Sequence, residues 1–470
     1  MGNKLLIRSY NVGCGDCFYV RIPNNDDGFH ILIDCGSKEG INSGVLDGSI
    51  KHLEEHMLPT VSGSNKKRLD LIVVTHRHED HIKGFDPKFF KNIEIENIWI
   101  TAAMNEQHPQ AKKTLALNGL VEEEIIKLKK DKVNFSPELR NLVGLYGIRN
   151  KGATKALTQE LPNKNGISVD YVHAGLVFDH HKLNVEDDTK ITVLAPEKDI
   201  DHFYLGKDID RSLKGFTEVA DTISKHPKSS QSAKPTNING ADFRTLKARM
   251  VSNALAFAVD DSSIQNNVST VLLIEWCNNR LLFVGDAEWH GEFKAGKKNG
   301  SWNVMWKERK DLLNKPIDFL KAGHHGSFNA TPWNRDEDSN HEVNQIFDAI
   351  LPKPLEGEEP TALCLVSTKR KQYVTIPDAE LLVELGKRVG NTKNYHKSLR
   401  KEDSTFNPET DIYNYSIEEE YTKPPSPREV GEKEWFNNPQ PLRTDMESKG
   451  RGSKTMFNEI EFVDVEISPK

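Results

Sequence analysis

The chain has 470 residues, about three domains' worth of polypeptide at roughly 150 residues each. Its apolar fraction of 36% and its 31 glycines place it just under the usual range for globular domains, which excludes a collagenous or wholly disordered chain. With 63 lysines and arginines against 70 aspartates and glutamates, the net charge of −7 excludes global attraction to nucleic acid or anionic membranes, so any polyanion needs a local patch or a metal. The longest apolar runs, such as Leu71–Val74, fall far short of the ~18 residues of a membrane span. Residues 1–13 read as a strand and not as a secretory leader, because Arg8 and Ser9 interrupt the apolar stretch. Five cysteines, an odd and sparse set, suit a reducing compartment, and the expected location is the cytoplasm.

Runs rich in β-branched and aromatic residues at 5–12, 17–22 and 30–36 predict three antiparallel strands opening a sheet. Residues 71–75 are continuously apolar and predict a buried strand, and the alternation at 93–100 predicts another. A polar, lysine-rich stretch follows with helical spacing, for example Val121, Ile125 and Leu128, and reads as a helical insertion. Strands return at 167–172 and 191–195. Residues 197–265 are polar and include SKHPKSSQSAKPTNING, which predicts an exposed loop. Strands are expected again at 270–276, 280–284, 317–322 and 363–366, then an amphipathic helix at 378–389. Beyond about 401 the composition is loop-like, with one strand candidate in FNEIEFVDVEI. The pattern predicts an α/β layered domain over 1–395, with insertions at about 105–165 and 197–265 and a C-terminal extension at 396–470.

The chemistry concentrates in His76-Arg77-His78-Glu79-Asp80-His81, directly behind the strand LDLIVVT. Three imidazoles and a carboxylate suit zinc, iron or manganese, and the i, i+2 histidines share one side of an extended segment. Asp80 and His81, after a turn, can point at a second position close by. Leu281–Asp286 puts a carboxylate behind a glycine at the end of another apolar strand, and Leu320–Ser327 ends a third with His324 and His325. Alone, Asp286 is as well explained by a turn cap. Three strand ends that each deliver metal-type ligands point to a shared cleft holding one or two ions.

HRHEDH resembles the HxHxDH signature of the metallo-β-lactamase superfamily, and GD followed by HHGS resembles its later metal motifs. Residues 11–17 (NVGCGDC), residues 32–36 (LIDCG), Asn267-Val268-Ser269 and Val366-Ser367 are similar to one branch, the β-lactamase-like domain of bacterial competence DNA-uptake channels and its phosphorylcholine-esterase relatives. The resemblance implies an αββα sandwich with a dinuclear site of divalent transition metals, zinc or manganese. His76 and His78 would hold one ion and Asp80 and His81 the other. Asp286 would bridge them, and His324 or His325 would complete the second site. The further histidine that many members add has no clear counterpart among His173, His180, His181 and His202, which implies a weak first site. The histidine that uptake-channel domains place before the proline after Ser367 is also missing, the chain reading Tyr373-Val374-Thr375-Ile376-Pro377.

Such a site implies hydrolysis by an activated water. Asp80 is the candidate for orienting the nucleophile, and His325 for meeting the oxyanion or leaving group. Asp16 and Asp34 are read as carboxylates that orient ligand histidines, with loop capping as the alternative. Lys369, Arg370 and Lys371 follow the last strand and are the expected contacts for a phosphodiester, nucleic acid or cyclic nucleotide. Lysine runs elsewhere are as well explained as solvated faces, and Phe328, Trp333 and Tyr373 as packing residues. A nuclease or phosphodiesterase leads; a hydrolase of another ester, thioester or lactam stays open, as does a non-catalytic metal module binding a protein partner through its insertions or extension. No membrane association is expected.

Overall fold

The computed structural model describes residues 4–38, 44–111, 115, 149–205, 263–369, 376–394, 438–447 and 460–470. Strands β1 (Leu5–Tyr10), β2 (Phe18–Ile22) and β3 (Phe29–Ile33) form the expected antiparallel opening, in register at Leu6↔Arg21 and Phe18↔Ile33. After β4 (Lys67–Leu69) comes β5 (Leu71–Val74), parallel to β3. Leu71 and Val73 face the opposite sheet while Ile72 and Val74 face helices. Burial on both faces is why this strand reads as a continuous apolar run.

The single strand expected at 93–100 is two. β6 (Ile93–Ile95) pairs with β4 in a separate ribbon, and β7 (Ile98–Thr101) pairs with β5. Glu96 and Asn97 divide them: the Glu96 amide bonds the Leu69 carbonyl, and the Asn97 side chain donates to the Asp70 carbonyl. β8 (Val169–Val172) pairs with β7.

The second sheet takes β9 (Val177–Phe178), β10 (Lys190–Ala195), β11 (Val271–Trp276), β12 (Asn279–Phe283), β13 (Phe319–Lys321), β14 (Leu363–Val366), β15 (Thr392–Lys393) and β16 (Gln440–Arg443). Its spatial order is β15-β16-β14-β13-β12-β11-β10-β9. β14 does not close this sheet, because β16 pairs with its outer side through Leu365↔Leu442. β17 (Phe462–Ile467) joins the other sheet, antiparallel to β1 from Leu5↔Ile467 to Tyr10↔Phe462, giving β17-β1-β2-β3-β5-β7-β8. Two strands from the 396–470 stretch are thus woven into the two sheets. The alternation of Val463, Val465 and Ile467 buries one face of β17.

Phe18, Val20, Ile31, Val73, Leu272, Ile274, Phe283 and Phe319 pack between the sheets. Outside the second sheet, Trp302, Met305, Phe347 and Leu382 come from helices α1 (Ser301–Leu313), α2 (Glu342–Ile350) and α3 (Ala379–Gly386). Outside the first, Ile50, Ala153, Leu157 and Leu161 cover Ile72 and Val74. The order is helix, sheet, sheet, helix, as expected for a metallo-β-lactamase-like fold. Val121, Ile125 and Leu128, the SKHPKSSQSAKPTNING loop and most of 396–437 lie outside the described residues, and no helix among the described residues is long and apolar enough to cross a membrane.

Candidate metal centre

The parallel strands of both sheets end at one place. β5 runs into His76–His81, β3 into Asp34, β12 into Asp286, β13 into His324 and His325, and β14 into Ser367. Two close backbone approaches make this convergence feasible. A Cβ on Gly36 would lie 2.1 Å from the Asp80 backbone, so only glycine lets the 34–37 loop cross the HxHxDH turn. Gly285 has φ +54°, and a Cβ there would meet Thr75 and Ser269 at 2.9 and 3.0 Å. Asp34, His324 and His325 also adopt left-handed φ, a conformation that costs non-glycine residues free energy and is held by the surrounding structure.

Asp286 is the centre of the cluster. His81 Nε2 lies 3.3 Å from its Oδ1, while His76 Nε2 and His324 Nε2 each lie 3.7 Å from its Oδ2. His76 Nε2 is 2.8 Å from His78 Nδ1, and His325 Nε2 is 3.2 Å from Asp80 Oδ2. The ligand atoms of His76, His78 and Asp286 group together, as do those of His81, Asp286 and His325. All these residues are buried except His324, whose side chain is 22% exposed.

The environment polarises the cluster. Burial depresses the basicity of His76, and the neighbouring His81 and His78 reinforce it; burial likewise brings His78 down to about 3. At His81 burial acts the same way, but the Asp286 and Asp34 carboxylates overcome it and hold the imidazole well above its ordinary range. Asp286 is held well below the usual carboxylate range: burial opposes this, and His81 and His324 prevail.

The surrounding groups fix the rings. Asp34 Oδ2 lies 2.7 Å from His81 Nδ1 and accepts the Thr75 hydroxyl at 2.6 Å. The Ser367 carbonyl is 3.0 Å from His325 Nδ1. Asp16, 3.5 Å from His325 Nδ1 and 3.8 Å from His81 Nδ1, takes the Ser367 hydroxyl and the Lys321 ammonium. Lys321 shares the inter-sheet side of β13 with Phe319 and is 2% exposed. In the Asn267-Val268-Ser269 segment, the Ser269 hydroxyl lies 3.3 Å from His76 Nδ1 and from the Asp286 amide, which donates to it.

Several contributors escaped sequence reasoning. Glu288 faces His324 Nδ1 at 3.8 Å and is held by Asn266 (2.8 Å), Asn267 (3.1 Å) and Ser263 (2.8 Å). Its place two residues after Asp286 was the available signal. Lys38 reaches Asp80 Oδ2 at 2.9 Å, and Cys14 joins Asp80 and His325. Of the other histidines considered, His180, His181 and His202 are exposed, and none of them or His173 enters a ligand group among the described residues. Lys369 is described just beyond β14; Arg370, Lys371 and Tyr373 lie outside the described residues. Phe328 and Trp333 pack edge-to-face against each other beside the helical core of the second sheet.

A test of fit comes from the buried polar atoms. Asp80 Oδ1, His81 Nε2, both oxygens of Asp286 and His324 Nδ1 are buried without a hydrogen-bond partner. Leaving such groups without hydrogen bonds costs several kcal/mol, and a divalent cation among them would satisfy them together. Imidazole and carboxylate donors suit a transition metal, so the residues fit divalent metal ions, and the cluster supports a metal-dependent hydrolase. No curated protein matches the chain. Residues 11–126, which include NVGCGDC, LIDCG and HRHEDH, match the family model of the metallo-beta-lactamase superfamily, and the chain thus carries a domain of that superfamily.

Proposed function

We propose that this chain hydrolyses phosphodiesters with two divalent transition metal ions, zinc or manganese. The observation that carries this is Lys38, whose ammonium lies 2.9 Å from Asp80 Oδ2 with its side chain 15% exposed. A cation placed against the ligand cluster suits a substrate with its own negative charge better than a neutral ester or lactam. Lys369, two residues past the Ser367 carbonyl that meets His325, supports the same choice, and Arg370 and Lys371 would extend it toward a nucleic acid or cyclic nucleotide.

His76, His78 and His324 would hold one ion and Asp80, His81 and His325 the other, with Asp286 between the two sets. Ions there supply Lewis acidity and a nucleophilic water at neutral pH. The protein does the positioning. Asp34 turns His81 Nε2 toward Asp286, the Ser367 carbonyl turns His325 Nε2 toward Asp80, and Glu288 faces the outer nitrogen of His324. With Lys38 drawing off part of its charge, Asp80 would also orient the attacking water. Lys38 would then meet a non-bridging phosphate oxygen, a charge-assisted contact of about 1.5–3 kcal/mol.

The test is a substrate screen of the full chain, wild type and Lys38→Ala. It spans single- and double-stranded DNA, RNA, cyclic dinucleotides, bis-p-nitrophenyl phosphate, thioesters and lactams. The expected result is chelator-sensitive phosphodiester cleavage whose KM rises roughly tenfold to a hundredfold in Lys38→Ala, with a smaller change in kcat. Turnover of thioesters or lactams alone, or an unchanged KM, would overturn it.

A further inference from the structure

We propose that Cys14 provides a thiolate ligand to the ion held by Asp80 and His325, making that position selective for zinc over manganese. Ligand atoms of Cys14, Asp80 and His325 all lie within 4.8 Å of one another, and all three residues are buried. Asp80 supplies the second, independent sign. Its Oδ2 is engaged by Lys38 and His325, while its Oδ1 is buried with no hydrogen-bond partner. His325 turns its Nε2 to Asp80 because its Nδ1 faces the Ser367 carbonyl.

The backbone holds Cys14 there. Its carbonyl accepts from the Lys38 amide at 2.8 Å, and two residues on, the Asp16 amide donates to the Asp80 carbonyl at 2.9 Å. The loop is therefore tied to both segments that flank the position. Cys14 and Cys17 have the spacing of a CxxC pair, but they diverge. Cys17 faces the Cys35 thiol within the core beneath the first sheet, and Cys364 lies in the helical core of the second. Cys277 lies near Asp188, away from the ligand groups. Among the described residues, Cys14 is the cysteine placed with ligand atoms.

On binding, the thiol gives its proton to solvent and a sulfur–metal bond forms, with no change of oxidation state. Thiolate is a soft donor that favours zinc, whereas manganese prefers carboxylate, carbonyl and water oxygen. The inference rests on the metal centre proposed above, not on the phosphodiester substrate.

Cobalt(II) added to the metal-stripped full chain separates the two ideas. Bound cobalt is counted by elemental analysis, and a sulfur ligand is read from the near-ultraviolet thiolate-to-cobalt charge-transfer band. The expected result is bound cobalt with that band in wild type, and loss of the band in Cys14→Ser and in Cys14→Asp. Cys14→Asp should keep its cobalt, because an oxygen donor replaces the sulfur, and circular dichroism checks that both variants fold. Cobalt bound to wild type without the band, or a band that persists in both variants, would overturn the role of Cys14 and leave the centre standing. No bound cobalt in wild type would overturn the centre itself, and the Cys14 ligand with it.

Discussion

Replacing Lys321 with methionine should destabilise the protein by about 3–5 kcal/mol, because it strands a buried carboxylate. Lys321 is 2% exposed and Asp16 1%, and the ammonium touches the carboxylate directly. Burial works against the lysine's charge, but the Asp16 carboxylate more than offsets it and holds Lys321 above the ordinary lysine range. Methionine matches the stem but carries no charge, so Asp16 would keep the Ser367 hydroxyl and the more distant His325 and His81 rings but lose its ammonium partner. Neutralising both ends in Lys321→Met/Asp16→Asn should recover much of the loss, since a buried ion pair is worth little more than a well-packed neutral pair. Urea unfolding of the full chain followed by circular dichroism reads this out. At a slope of about 3 kcal/mol per molar urea, the midpoint of Lys321→Met should fall by roughly 1–1.7 M. A midpoint shift below about 0.3 M, or a double variant as unstable as the two single losses combined, would refute the buried pair.

Asp286→Asn should lower bound metal and cut kcat at least about a hundredfold while circular dichroism stays unchanged, because the amide loses the charge shared between two ligand groups; metal content near wild type would remove Asp286 as the bridge. His30, fully buried beside Tyr19, is pushed down to about 4, by burial first and then by Arg68. The unfolded chain therefore takes up its proton near pH 6.5 while the folded chain resists until about 4. The stability His30 contributes is fully present above pH 6.5 and is lost as pH falls toward 4, by about 3 kcal/mol. Urea midpoints measured from pH 7 to 4 should accordingly fall less steeply in His30→Gln than in wild type, and equal slopes would count against it.

The clustering of candidate ligands was legible because its chemistry is local. His76–His81 and Asp286 each follow an apolar strand, and few stable cores carry such residues for packing. The central strands of both sheets were legible for the same reason: continuous runs such as LIVV at 71–74 signal burial on both faces, whereas the outer strands β9, β15 and β16 carry no such run. Long-range partnerships were not. Nothing near Lys321 in sequence shows that Asp16, some three hundred residues earlier, sits across the inter-sheet core from it. The orienting role of Glu288 depends on Ser263, Asn266 and Asn267, which reach it only after β11 and β12 have paired. The division at 93–100 is marked in sequence only by the adjacent polar pair Glu96 and Asn97, which interrupts the alternation where their backbones turn to bond Leu69 and Ile72.

The geometry of the centre is fixed by the seam between the sheets. The Thr270 amide at the entrance to β11 bonds the Thr75 carbonyl at the end of β5 at 2.9 Å, and the Thr101 hydroxyl bonds the Val268 carbonyl at 2.6 Å. These bonds splice the first sheet to the second at the step where the ligands emerge. Gly285 packs on Thr75 and Ser269 at that splice, and the His324 amide then bonds the Gly285 carbonyl at 3.2 Å. Asp286 is therefore placed by backbone contacts from both halves of the chain, whatever ion it meets. A site assembled this way holds its ligands in position before binding, and an ion that binds it also ties residues 76–81 to residues 286–325. Because the unfolded chain offers no such arrangement, metal affinity and the stability of the two-sheet interface should rise and fall together.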